Sequence, residues 1–246
     1  MQFDKAIALV VRTSDWSESS RIATLFTREM GKVRALAKGG RRLRSQFEVA
    51  LDLLTVCRIV FIRKNGGLDL LTEARVEERF PGIRANLNAL YAGYYIAELL
   101  GDGTQDYDPH PSLFDYSLET LRVLNKPETD VGARTLQFEL AWLHELGYRP
   151  RLDACAVCGS ADWLDAVPRY TFGALAGGIL CPRCEPGQHD KRIVSRLALG
   201  KLGELGDPNR TSVELAPLLR VELRQVLGQF VSFVLGRRPR LLAYLE

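Results

Sequence analysis

Two cysteine pairs, Cys155-x2-Cys158 and Cys181-x2-Cys184, stand 22 residues apart and constrain the folding of this chain more than any other feature. In a C-x2-C turn both thiolates can face one ion at ~2.3 Å, and two such turns complete a closed tetrahedral site. Both pairs would then share one ion. Gly159 after the first pair and Pro182 inside the second suit the tight turns this requires. The opening MQFDKAIALVV lacks the cationic start of a leader, and no apolar run reaches the ~18 residues that span a bilayer. A soluble, cytoplasmic protein is the expectation. Disulfides are disfavoured there, so the quartet reads as a structural zinc site with Cys155, Cys158, Cys181 and Cys184 as ligands. Four protein ligands leave no open position for catalysis. Cys57, the odd cysteine, falls in a β-rich run and reads as a small buried hydrophobe.

The first 80 residues carry five strand-like runs, at 3–13, 21–27, 32–39, 51–64 and 68–80. Asn65-Gly66-Gly67 separates the last two, which is a hairpin signal. Five short strands with a long central loop fit a small closed barrel of the OB type, with an SH3-like barrel as the other option. After Pro81 the apolar period lengthens to that of helices, expected at 86–100, 111–124, 131–146, 193–205 and 212–235. Gly101 should end the first and Gly147 should cap the third. The tyrosines of the first, Tyr91, Tyr94 and Tyr95, read as core rather than as base-stacking groups. On the last helix Leu215, Leu218, Leu219, Leu223, Val226, Leu227, Phe230 and Val234 form the expected buried side. The fold class is thus α+β and multi-domain: an OB-type β-barrel over 1–80, an α-helical domain over 81–150 and 190–246, and an inserted four-cysteine zinc-knuckle module over 151–189.

Between Gly31 and Arg44 stand Lys32, Arg34, Lys38, Arg41, Arg42 and Arg44, with no acid among them. The first half, GKVRALAK, alternates with period two, so Val33, Ala35 and Ala37 face one way and Lys32, Arg34, Leu36 and Lys38 the other. Unpaired cations cannot be buried without a cost of several kcal/mol each, so this face should meet solvent or a polyanion. Nucleic-acid phosphate is the chemistry that fits. The charge distribution agrees. Residues 1–80 hold 15 Lys and Arg against 10 Asp and Glu, residues 81–189 hold 8 against 14, and residues 190–246 hold 10 against 6. Five or six phosphate contacts predict a log–log salt slope of roughly −4. Aromatics are sparse in the basic strand, so electrostatics should dominate over base stacking.

Catalytic chemistry finds no support. Gly31-Lys32 lacks the upstream glycine of a phosphate loop, where Phe26 stands, and Val33 replaces its Ser or Thr. A zinc deaminase needs His-x-Glu and a proline directly before its C-x2-C. Here Ala154 and Leu180 precede the pairs, and His144 is followed at once by Glu145. His110, His144 and His189 sit in no nucleophile motif, and Asp102, Asp106 and Asp108 read as a solvated acidic connector. The chain is expected to be a binding protein, not an enzyme.

Laid out in this order, the sequence resembles the RecO family of bacterial recombination mediators over nearly its whole length. The most specific pieces are Trp16-Ser17-Glu18-Ser19-Ser20, then Thr27 through Gly31-Lys32, then Ala37-Lys38-Gly39-Gly40-Arg41-Arg42. Phe138-Glu139-Leu140 through Leu146-Gly147-Tyr148 and the terminal Gly236-Arg237-Arg238 complete the set. The resemblance implies an OB-fold that binds single- and double-stranded DNA and anneals complementary strands, including strands coated by single-stranded-DNA-binding protein. It implies action with the partner RecR to load the RecA recombinase, in the bacterial cytoplasm at the nucleoid. By position, Lys32, Arg34, Lys38, Arg41, Arg42 and Arg44 become the DNA contacts. The family's docking of the coating protein's acidic-hydrophobic tail uses a pocket on the helical domain, and some members carry basic residues just before the Phe-Glu-Leu block. Leu136 and Gln137 stand there in this chain, with Arg134 the nearest cation. The alternative is an RNA-binding protein built from the same OB-fold and zinc ribbon.

Overall fold

The computed structural model describes residues 3–42, 45–207, 210 and 213–245. They divide into two compact units, Met1–Thr129 and Asp130–Glu246. The first is built on five strands, β1 (Phe3–Asp15), β2 (Arg21–Thr27), β3 (Gly31–Ala37), β4 (Val56–Ile62) and β5 (Asp69–Glu78). They close in the order β1-β2-β3-β5-β4, with β1 returning to β4. Every neighbouring pair is antiparallel except β3 and β5, which run parallel over Ala35–Ala37 and Asp69–Leu71. That single parallel seam is the OB arrangement and disposes of the SH3-like option. β1 serves both neighbours. Its first half pairs with β4, its second with β2, and a register shift between Val10 and Arg12 bends it from one to the other.

The barrel interior takes alternate residues of each strand, among them Ala6, Ala8, Val10, Leu25, Val33, Ala35, Ala37, Ile59 and Phe61. The many alanines suit a narrow lumen, and Phe47, Ala50 and Leu51 from the β3–β4 connection pack into it. Cys57 lies in this core, donates to the Ala50 carbonyl at 2.9 Å, and has its thiol pushed up to about 12 by burial.

Helices α1 (Pro81–Ala85), α2 (Leu87–Gly103) and α3 (Pro111–Leu124) belong to the same unit. The sequence pattern alone groups them with the later helices. They stay with the barrel because α2 packs on β1 and β2, and Phe114 of α3 meets Phe26 of β2 with ring centroids 6.1 Å apart. Asn86 caps α2, its side chain accepting from the Asn88 and Ala89 amides. Tyr95 is fully buried, as expected of a core tyrosine. The helix does not stop at Gly101 but runs on to Gly103.

The second unit holds α4 (Val131–Glu145), a small sheet of β6 (Arg169–Gly173), β7 (Gly178–Leu180) and β8 (Lys191–Ser195), then α5 (Arg196–Leu205) and α6 (Pro217–Leu235). The sheet is antiparallel in the order β7-β6-β8. The helix expected from residue 193 begins later, because Ile193 and Val194 are β-branched and pair with β6. Ser195 then caps α5, its hydroxyl accepting from the Ala198 amide at 3.2 Å. The expected start of the last helix at Ser212 lies outside the described residues. α6 begins at Pro217, whose ring disfavours helical geometry at Ala216 (ψ 146°). Leu218, expected inside, is 85% exposed on the first turn of α6, while Leu223, Val226, Leu227 and Phe230 are buried. No helix among the described residues is long and apolar enough to cross a membrane.

Candidate nucleic-acid interface and metal centre

The alternation in β3 is as the sequence implied: Val33, Ala35 and Ala37 point inward, and Arg34 is exposed on the outer face opposite Thr24. Lys38, Arg41 and Arg42 are exposed on the turn that follows. This turn is held tightly, with Gly40 N–H donating to the Ala37 carbonyl and Arg42 N–H to that of Gly39. It also docks on the β1–β2 loop. The Arg41 amide donates to the Ser19 carbonyl at 3.0 Å, and its guanidinium donates to the Ser17 carbonyl at 2.9 Å. Arg41 stands 3.5 Å from Asp15, which also faces Arg21 at 3.4 Å. One carboxylate thus sits among several cations and leaves the rim net positive. Arg44 lies outside the described residues.

Arg21 is a rim cation that the charge run does not include. The signal for it is present in the sequence, since a turn over residues 28–30 sets Thr27 opposite Gly31 and Arg21 opposite Ala37. In that register Arg21, at the start of β2, shares a face with Ala37, and its half-buried side chain reaches Asp15.

Lys32 departs from the expectation. Its side chain is only 12% exposed, and the ammonium donates to the carbonyls of Gly101 at 2.9 Å and Thr104 at 2.5 Å, with Asp106 at 3.5 Å. It caps the C-terminal end of α2, where a cation meets the unpaired carbonyls and the negative end of the helix dipole. This is why α2 runs past Gly101. Around it the acidic segment 102–108 lies against β3: Tyr107 N–H donates to the Lys32 carbonyl, and Arg12 pairs with Asp102 at 2.6 Å. The Tyr107 hydroxyl donates to Asp69 under the Arg63 guanidinium, and burial followed by that bond raises its pKa. Gly31 (φ 69°) is required here, because a Cβ would collide with the Asp108 carbonyl. Lys32→Met should lower the unfolding free energy by about 1.5–3 kcal/mol, the worth of charge-assisted bonds, in urea titrations. Its DNA affinity should change little. A loss of affinity with stability intact would return Lys32 to the interface.

In the second unit the quartet comes together. The Arg151 amide donates to the Gly177 carbonyl at 2.9 Å, the Ile179 amide to the Arg151 carbonyl at 3.0 Å, and the Ala156 amide to the Ile179 carbonyl at 2.8 Å. The stretch before the first cysteine pair is thereby zipped to β7, whose next residue is Cys181. Gly178 permits the approach, since a Cβ there would strike the Arg151 carbonyl. All four sulfurs lie within 4.8 Å of one another, and Cys158 and Cys181 are 3.7 Å apart. A tetrahedral ion with ~2.3 Å bonds sets sulfurs about 3.8 Å apart, so the residues fit a metal. Burial pushes the Cys155 thiol up, but amides of Cys158, Cys181 and Val157 outweigh it and hold the group at about 6. Hydrogen bonds to Cys181 and Cys158 push Cys184 up to about 12. Four sulfurs this close ionise together only around a cation.

Arg134, the cation nearest the Phe-Glu-Leu block, is 4% exposed within α4, so it offers no surface charge to an acidic tail.

Comparison with known proteins agrees with this anatomy. Residues 1–80 match the family described as Recombination protein O N terminal, and residues 84–243 match Recombination protein O C terminal. The chain belongs to the RecO family. It is 36% identical to the DNA repair protein RecO of Rhodopirellula baltica, over 97% of each chain. It is also 36% identical to DNA repair protein RecO of an Anaeromyxobacter strain, over 95% of this chain and 92% of that one. RecO of Halalkalibacterium halodurans is 32% identical over 93% and 88%. The two RecO segments meet between residues 80 and 84, at the proline where strands give way to helices.

Proposed function

We propose that this RecO-family protein serves DNA repair and recombination as a mediator that grips DNA by its phosphates. The observation that carries the reading is the run of exposed cations Arg34, Lys38, Arg41 and Arg42 along β3 and the turn that follows it, with Arg21 across on β2. These cations neutralise backbone charge and release counterions, which lowers the repulsion between two approaching strands without any covalent step. Annealing follows from that alone. The family resemblance adds coated single strands as substrate, RecR as partner and RecA loading as outcome. The ion in the quartet is zinc, chosen by four thiolates in a closed tetrahedral set, and it is structural.

Five cations meeting phosphates give a salt slope near −3.5 on single strands, at about −0.7 per contact. Replacing Lys38, Arg41 and Arg42 together by Ala should flatten it by roughly 2 and abolish annealing of complementary oligonucleotides. Fluorescence anisotropy over a salt series measures this. An unchanged slope would remove the rim from the DNA interface. Tighter binding to RNA of the same sequence would favour the RNA-binding alternative.

A further inference from the structure

We propose that Trp16 is a base-stacking residue that gives the basic rim its grip on single strands, a reading that rests on the DNA-binding function above. The basic strand itself lacks aromatics, but the loop docked against it presents one. Trp16 opens the β1–β2 loop and is 62% exposed. The other two tryptophans are used in packing: Trp142 is fully buried, and Trp163 donates to the Ser160 carbonyl and meets the Tyr170 ring edge-on at 5.7 Å. No ring or guanidinium among the described residues covers Trp16.

An isolated exposed hydrophobe is ordinary. What distinguishes this one is that its loop is fixed beside the cations. The Trp16 and Ser17 amides both donate to the Ser20 carbonyl, and the Ser20 amide donates to the Ser17 hydroxyl. From outside the loop, Arg41 holds the Ser17 and Ser19 carbonyls. The indole therefore projects from a braced backbone one residue from an arginine-bound carbonyl. A rigid aromatic plane beside phosphate-binding charge is the arrangement by which single strands are held, bases on rings and backbone on cations. A duplex keeps its bases stacked internally and cannot use the plane. Glu18, exposed on the same loop, repels phosphate and leaves the backbone to the Arg41–Arg42 side.

The test compares wild type, Trp16→Ala and Trp16→Phe on oligo(dT) and on a duplex of equal length, by anisotropy at several salt concentrations. Trp16→Ala should weaken single-strand binding about 5- to 150-fold, the worth of one stacked base. Its salt slope and duplex affinity should stay put. Trp16→Phe should restore most of the loss. In wild type, oligo(dT) should quench indole emission, and Trp16→Phe should erase that signal because the remaining indoles are packed. Equal losses on both DNAs, or none on oligo(dT), would overturn stacking while leaving the rim intact. A wild-type protein that binds neither DNA at low salt would overturn the rim and the stacking together.

Discussion

Cys158→Ser should melt the region from Arg151 to Ser195 while the barrel unit keeps its structure. The sheet there has little of its own to stand on. β7 is three residues long, β6 and β8 are five each, and the buried side chains amount to Tyr170, Phe172, Ile179, Leu180 and Val194. So small a core does not offset its own conformational entropy. Apparent binding energies of structural zinc reach about 10–16 kcal/mol, which would make a bound ion the main source of order here. Hydrogen exchange on the intact chain should show lost protection at the Ala156, Ile179 and Cys181 amides, which tie the cysteine turns to β7. A strong chelator should do the same to wild type. Metal uptake at neutral pH should release protons, since the Cys184 thiol is held well above its ordinary value and must ionise to bind. Unchanged protection after complete chelation would show that the sheet stands without metal.

The other large effect belongs to Glu139 and Arg224. Glu139 of α4 is fully buried and Arg224 of α6 is 6% exposed, and the two are hydrogen-bonded in the core of the second unit. Removing one partner takes a charge-assisted bond from the other in a low-dielectric site, so Glu139→Leu or Arg224→Met should each cost about 3–5 kcal/mol. The double replacement Glu139→Leu with Arg224→Met should recover most of that, because a well-packed apolar pair does as well as a buried ion pair. Urea denaturation of the four proteins completes the cycle. Additive losses would mean that the charges do not act as a pair. The contact also explains a sequence feature that patterning could not. Glu139 interrupts an apolar run on α4, and only the opposing helix shows why a carboxylate belongs there.

Much of the architecture was legible because it is written in local chemistry. The alternation of Val33, Ala35 and Ala37 told inside from outside on β3, and the two C-x2-C pairs announced their own meeting. Asn65-Gly66-Gly67 marked the β4–β5 hairpin, and Pro111 opened α3 where expected. What was hidden depends on contacts between distant residues. Lys32 reads like its neighbours on β3, yet α2 places carbonyls 69 and 72 residues away against its ammonium. Leu218 fits the apolar period of α6, yet it is exposed on that first turn. Ile193 and Val194 suit either a strand or a helix until β6 supplies a partner.

The segment that runs from Asp102 to Asp108 along β3 has a topological consequence. With that strap sealing the flank of β3 and side chains filling the lumen, no tunnel exists among the described residues of the barrel through which a polymer could be threaded. A nucleic acid laid across the rim is approached from the side. A strand gripped there as proposed would be picked up at an internal gap as readily as at a terminus, and let go again without being unthreaded.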